Sequence, residues 1–218
     1  MPVPAAALAA FNLDPLSQMD SSWLTDHGNA GAKLLESLGH SRDARPKLAR
    51  YLLDHHMLTG TWWTDFSSPR SRIAVLERDL LQTVLLRTGL LVKGDEIRRD
   101  LDGARRRATR SGIGDEDMDF VLRTAPLLGR PQPIDYECDH ADPRHRFMAF
   151  GLAASVDRGL LKESAYRVRL AIRLPKQLAA TLSELAESDR SLRDSPPLSE
   201  LTRRILKDLA PPWLTLFD

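Results

Sequence analysis

Two apolar stretches set the tightest limits on how this chain can fold. One runs from Thr83 to Asp100 (TVLLRTGLLVKGDEIRRD), and the other from Arg146 to Pro175, where RFMAFGLAASV is followed by YRVRLAIRLP. Runs this apolar must be covered on most sides, which requires a buried scaffold of packed elements. Neither holds a G-x-S-x-G elbow, a glycine-rich phosphate loop or an H-E-x-x-H helix, so function has to be sought on the surfaces around them.

Neither stretch reaches the roughly 18 uninterrupted apolar residues of a spanning helix, so no direct membrane insertion is expected. With 218 residues, 42% hydrophobic and 28% charged, the chain can bury the core of one sizeable globular domain with a small appendage. Thirty-one Lys and Arg against thirty Asp and Glu leave a net charge of +1. That balance argues against a global commitment to nucleic acid or to an anionic membrane, while local patches remain open. Cys138 has no second cysteine to pair with, which fits a reducing cytosol. The run from Pro2 to Phe11 lacks a basic flank and meets Asn12, Asp14 and Pro15 too early for a secretory signal.

Turn and cap residues divide the rest. Asp26 to Gly31 reads as a loop, and residues 1–45 as an N-terminal arm or small subdomain. Residues 46–218 read as the main helical domain. Pro46 opens a helix that buries Leu48, Leu52 and Leu53 and ends near Gly60. Ser68-Pro69 starts a second, with Ile73, Leu76, Leu80 and Val84 on one stripe, and Gly89 and Gly94 punctuate its end. Asp95 is expected to cap a helix that buries Ile97, Leu101, Ala104 and Ala108, and Asp115 a shorter one carrying Met118, Val121 and Leu122.

A Pro-rich internal linker is placed at 125–143, after which Asp142-Pro143 opens a helix apolar on every side, with Gly151 allowing a close crossing. From Tyr166 to Leu174 apolar and basic residues alternate with a period of two, which favours a half-buried strand with no evident partner. Two amphipathic helices close the chain, one built on Leu178, Leu182 and Leu185, the other on Leu198, Leu201, Ile205 and Leu209. The expected fold is mainly α, a compact multi-helix domain with room for a short β element near 166–174.

Each constellation with chemical potential has a plainer reading. Cys138, His140 and His145, among Asp135, Glu137, Asp139 and Asp142, could suit zinc, yet their spacing matches no recognised zinc site and a solvated loop explains them better. Asp54-His55-His56 offers acid and base groups, but adjacent helical side chains diverge by about 100°, and a helix C-terminus is itself a favourable place for histidine. No catalytic residue, cofactor or metal is expected, and a metal-dependent hydrolase is the remotest alternative. Trp62, Trp63, Phe66, Trp213 and Phe217 read equally as binding hot spots or as plugs at the ends of a helical core.

The densest basic region is Arg98, Arg99, Arg105, Arg106, Arg107 and Arg110. It could track phosphates, and a nucleic-acid-binding helical regulator is the main alternative function. Few aromatics interleave with these arginines, and Asp95 to Arg99 and Asp102 to Arg106 are i, i+4 pairs that explain a solvated helix face. An acidic protein partner is favoured over nucleic acid, with Arg98, Arg99, Arg105 and Arg106 as candidate contacts.

Taken in order, three segments carry a resemblance: Leu85 to Arg99 (LLRTGLLVKGDEIRR), Phe147 to Ala154 (FMAFGLAA) leading into Arg169 to Pro175 (RLAIRLP), and Leu206 to Phe217 (LKDLAPPWLTLF). The chain resembles the K component of the type III secretion sorting platform, the SctK, YscK and PscK family. The match covers most of Leu76 to Phe217 and is loose before Leu48. What the resemblance implies is a non-enzymatic, mostly helical cytosolic adaptor at the cytoplasmic face of the inner membrane. It would join the cytoplasmic domain of the inner-membrane ring protein D to the pod protein Q, with the stator L and the secretion ATPase beyond. The family has no catalytic motif to carry over.

Overall fold

The computed structural model describes residues 3–27, 33, 37–99, 103–127, 134, 136–188 and 198–217. Among them the regular elements are helical. In chain order they are α1 (Ala5–Leu13), α2 (Pro15–Gln18), α3 (Arg45–His55), α4 (Pro69–Arg72), α5 (Arg78–Val92), α6 (Gly94–Arg99) and α7 (Gly103–Ile113). There follow α8 (Asp115–Thr124), α9 (Pro143–Ser155), α10 (Arg158–Leu161), α11 (Ser164–Ala171), α12 (Ala179–Glu187) and α13 (Leu198–Leu209), with short 3-10 turns at several joints. No strand occurs among the described residues, and none of the helices is long and apolar enough to cross a membrane. The packing divides the chain into two units, Met1–Arg78 with Asp157–Ser188, and Asp79–Val156 with Asp189–Asp218.

In the first unit, Met19, Leu48, Leu52, Leu58 and Ile172 form a buried cluster, with Leu16, Trp23, Leu24, Leu53 and Val168 packed around it. Pro46 does sit in the first turn of α3, which buries Leu48 and Leu52. The stripe expected to run unbroken from Ser68 to Gly89 is interrupted. Ser68 caps α4 by accepting from the Ser71 N–H at 3.0 Å, but the chain then passes through a 3-10 turn at Ile73–Val75 and turns extended at Leu76 (φ −59°, ψ 151°). Ile73, Ala74, Val75 and Leu76 are all buried. One helix face cannot bury four consecutive residues, and the break turns all four inward.

The segment read as a strand is the helix α11. Its alternation is broken physically by Arg169 and Arg173, which lie inside the unit at 1% and 2% exposure. Arg169 donates to the Leu58 and Thr61 carbonyls, and Arg173 to the Leu76 carbonyl exposed by the break before α5 and to the Gln18 side chain. With Tyr166 and Leu170 they form a stripe of period three to four.

The second unit is centred on α5 and α9. Asp142 caps α9 by accepting from the His145 N–H at 3.0 Å with Pro143 in the first turn, and every residue from Phe147 to Ser155 is buried. Gly89 lies inside α5 instead of ending it, because α5 and α9 cross there in backbone contact. Asp115 is the first residue of α8, and the capping position belongs to Gly114 at φ 95°. Ala104 and Ala108 are exposed; α7 buries Thr109 and Ile113 instead, with Gly112 against the Pro143 ring. Residues 100–102 lie outside the described residues, as do 128–133 and 135 of the expected linker and the Gly28–Gly31 part of the expected loop.

Candidate partner-binding groove

The second unit carries a cavity of about 910 Å³ where α6, α7 and α8 meet the start of α9. Its floor is apolar: Ile97 of α6, Met118 and Leu122 of α8, and Phe147 and Phe150 of α9. These residues follow helical spacing, so their burial is dictated by the same stripes that build the unit. Met118 and Phe147 are deeply buried, whereas Ile97 and Leu122 are half-buried at the surface of the floor.

Cations line the walls. Lys93, Arg99, Arg107, Arg110 and Arg146 face the cavity, with Glu96 among them. Lys93 Nζ stands 4.6 Å above the Phe150 ring and 2.8 Å from Glu96 Oε1. The Arg146 guanidinium lies 5.3 Å from the Phe147 ring centre. Such cation–π seating keeps a charged head beside an apolar floor.

Carboxylates set back from the walls orient the arginines. Asp95 reaches Arg99 at 4.0 Å, the i, i+4 pair expected from the spacing. Arg110 donates to Asp115 and, at 3.1 Å, to Asp119 in the first turns of α8. The hydrogen bond that Arg110 donates to Asp115 raises the Arg110 pKa above the ordinary guanidinium value. Arg99, Arg107 and Arg110 thus come together from the basic region singled out above. The side chains of Arg98, Arg105 and Arg106 lie outside the described residues, although their positions fall on α6 and α7. Lys93 and Arg146 were not anticipated; each sits beside an apolar run that reads as scaffold alone.

The other constellations lie outside the groove lining. The Cys138 thiol is half-buried and 3.7 Å from the Arg146 carbonyl, and no group of three or more metal-binding side chains exists among the described residues. His55 and His56 end α3 with their rings edge-on and 5.1 Å apart, against the divergence expected of adjacent helical side chains, His55 also stacked on Tyr51 and His56 edge-on to Trp23. Trp63 packs on Tyr166 and Phe66 meets Phe11 edge-to-face, as plugs do, while Trp62 is 61% exposed. Phe217 is buried and Trp213 half-buried in the closing turn. The most perturbed ionisable groups are internal: burial pushes the Arg173 guanidinium down to about 9 and the Tyr166 hydroxyl up, within a network whose visible role is to satisfy backbone carbonyls.

The family model for YOP proteins translocation protein K (YscK) matches residues 7–216 of this chain. The chain belongs to the YscK family. That membership makes it a type III secretion protein, of a family with structural or accessory roles. Comparison with curated proteins and with solved structures gave no match. The YscK match begins well before Leu48, so the family pattern takes in the N-terminal elements whose resemblance in sequence is loose.

Proposed function

We propose that the chain is a non-enzymatic adaptor of the type III secretion sorting platform, joining the cytoplasmic domain of the ring protein D to the pod protein Q, with the stator L and the ATPase beyond. The observation that carries this reading is the YscK match over nearly the whole chain. The groove supports it, since an apolar floor walled by arginines suits a protein contact. An adaptor of this kind works in the cytoplasm, against the inner membrane, without inserting into it. Its chemistry is positional: it holds two partners by separate patches, and repeated contacts around a ring let individually modest affinities add to stable assembly.

The test is co-purification of the full chain with the cytoplasmic domain of D and, separately, with Q. Capture of both, with substitutions that abolish one and spare the other, is the expected result. Capture of neither rejects the adaptor reading.

A further inference from the structure

We infer that the groove of the second unit receives an amphipathic helix with an acidic polar face, contributed by a protein partner. This rests on the adaptor reading and supplies the chemistry of one of its two contacts. The floor sets the first requirement. Met118 and Leu122 are one helical turn apart on α8, and Phe147 and Phe150 are three apart on α9, so the floor presents rows of apolar side chains at helical spacing. Rows of this kind accept the ridges of another helix.

Charge sets the second requirement. Arg99, Arg107 and Arg146 offer guanidinium donors along the walls, and carboxylates accept such donors in paired geometry. Glu96 lines the cavity but is tied to Lys93 at 2.8 Å, while Asp95 pairs with Arg99 and Asp115 and Asp119 pair with Arg110, so each of these described acids is already engaged by a cation. In sequence α7 carries four arginines and no acid. A cavity of about 910 Å³ with an apolar floor exceeds what one phosphate or carboxylate would fill, and it favours a partner that brings apolar side chains and acids together.

The probe is a fluorescein-labelled helical peptide with leucines at i, i+3, i+4 and i+7 flanked by glutamates, titrated into the full chain beside a control with lysine at each glutamate position. The acidic peptide should bind at least tenfold more tightly than the control, and the double variant Arg99→Glu, Arg107→Glu should erase that preference. Both arginines are exposed, and an unchanged thermal melt verifies that the variant is folded. Leu122→Glu, which puts a carboxylate on the floor, should weaken the acidic peptide by a similar factor. Equal binding of the two peptides, preference retained in the double variant, or a DNA duplex outcompeting the acidic peptide overturns the inference. In parallel captures, the double variant should lose one of D and Q and keep the other; keeping both at wild-type strength also overturns it. A wild-type chain that captures neither defeats the adaptor reading instead, and the peptide preference then decides the groove alone.

Discussion

Gly89 and Gly151 mark a reciprocal backbone contact between α5 and α9. A Cβ on Gly89 would fall 1.8 Å from the Phe147 carbonyl oxygen, and one on Gly151 would fall 1.9 Å from that of Leu85. Each glycine therefore faces the carbonyl one helical turn before the other. Neither neighbour can yield, because both are helix backbone in the middle of the core.

Alanine at either position should consequently destabilise the protein. In an exposed helix interior, Gly→Ala gains roughly 1 kcal/mol from backbone entropy. Here the added methyl forces the two helices apart, an overpacking cost of about 3 kcal/mol or more, and the cost wins. Urea denaturation of Gly89→Ala and Gly151→Ala should show a net loss of about 2 kcal/mol each. The double variant should lose less than the sum, since the first substitution already opens the crossing. A Gly89→Ala protein as stable as the wild type would contradict the contact.

Arg87 offers a test of burial against exposure in a single ion cluster. Its side chain is 5% exposed and donates to Asp117 at 2.7 Å and to Glu116 at 2.9 Å, with the guanidinium 4.4 Å from the Phe120 ring centre. Asp117 is 15% exposed and Glu116 85%. Asp117→Ala leaves the buried cation to its solvated partner Glu116 and removes the acceptor at Nε, and should cost about 2–3 kcal/mol. Glu116→Ala removes a solvated partner and should cost under about 1 kcal/mol. Denaturant midpoints of the two variants measure the ratio directly.

Tyr166 should give the protein an alkaline limit. Its hydroxyl is inside the first unit, 3.4 Å from the Ser71 carbonyl, and burial, with the nearby charge of Asp157, raises its pKa above 10. Below pH 10 the phenol is protonated in folded and unfolded chains alike, and it adds no pH dependence. Above pH 10 the unfolded chain releases this proton while the folded chain keeps it, so stability falls as pH rises. Absorbance at 295 nm should show Tyr166 ionising only as the protein unfolds. The Tyr166→Phe chain should lose that late step and part of its alkaline destabilisation.

Much of this architecture is legible in the sequence because caps and stripes are local. Ser68-Pro69 and Asp142-Pro143 both start helices, and the all-round apolarity of Phe147 to Val156 does mark a central helix. The misreadings have a common physical origin, since pattern reading assigns arginine outward and glycine to an end. Arg169 and Arg173 point inward because the carbonyls of Leu58, Thr61 and Leu76 need donors that only the tertiary fold brings near. Gly89 stays within a helix because of a partner 62 residues later, at Gly151. The groove was visible only as its basic half: Arg99, Arg107 and Arg110 are dense in sequence, but the floor that makes them a site arrives on α8 and α9.

Met57 is a place to stabilise the chain by one substitution. It follows α3 with φ 54°, the left-handed region that costs a side-chain-bearing residue roughly 1–2 kcal/mol. The geometry is that of a helix-ending Schellman turn: the Leu58 N–H reaches the Leu53 carbonyl at 2.7 Å, and the Met57 N–H reaches that of Asp54 at 3.0 Å. Leu58 and Leu53 both belong to the first unit's apolar cluster, so packing imposes the turn and Met57 accepts the conformation it requires. The Met57 side chain is 86% exposed and gives up little on removal. Met57→Gly should therefore raise stability by about 1 kcal/mol, less the entropy glycine adds to the unfolded chain. Met57→Ala keeps the Cβ and should give no such gain. If thermal melts of the two variants coincide, the strain assigned to Met57 is absent.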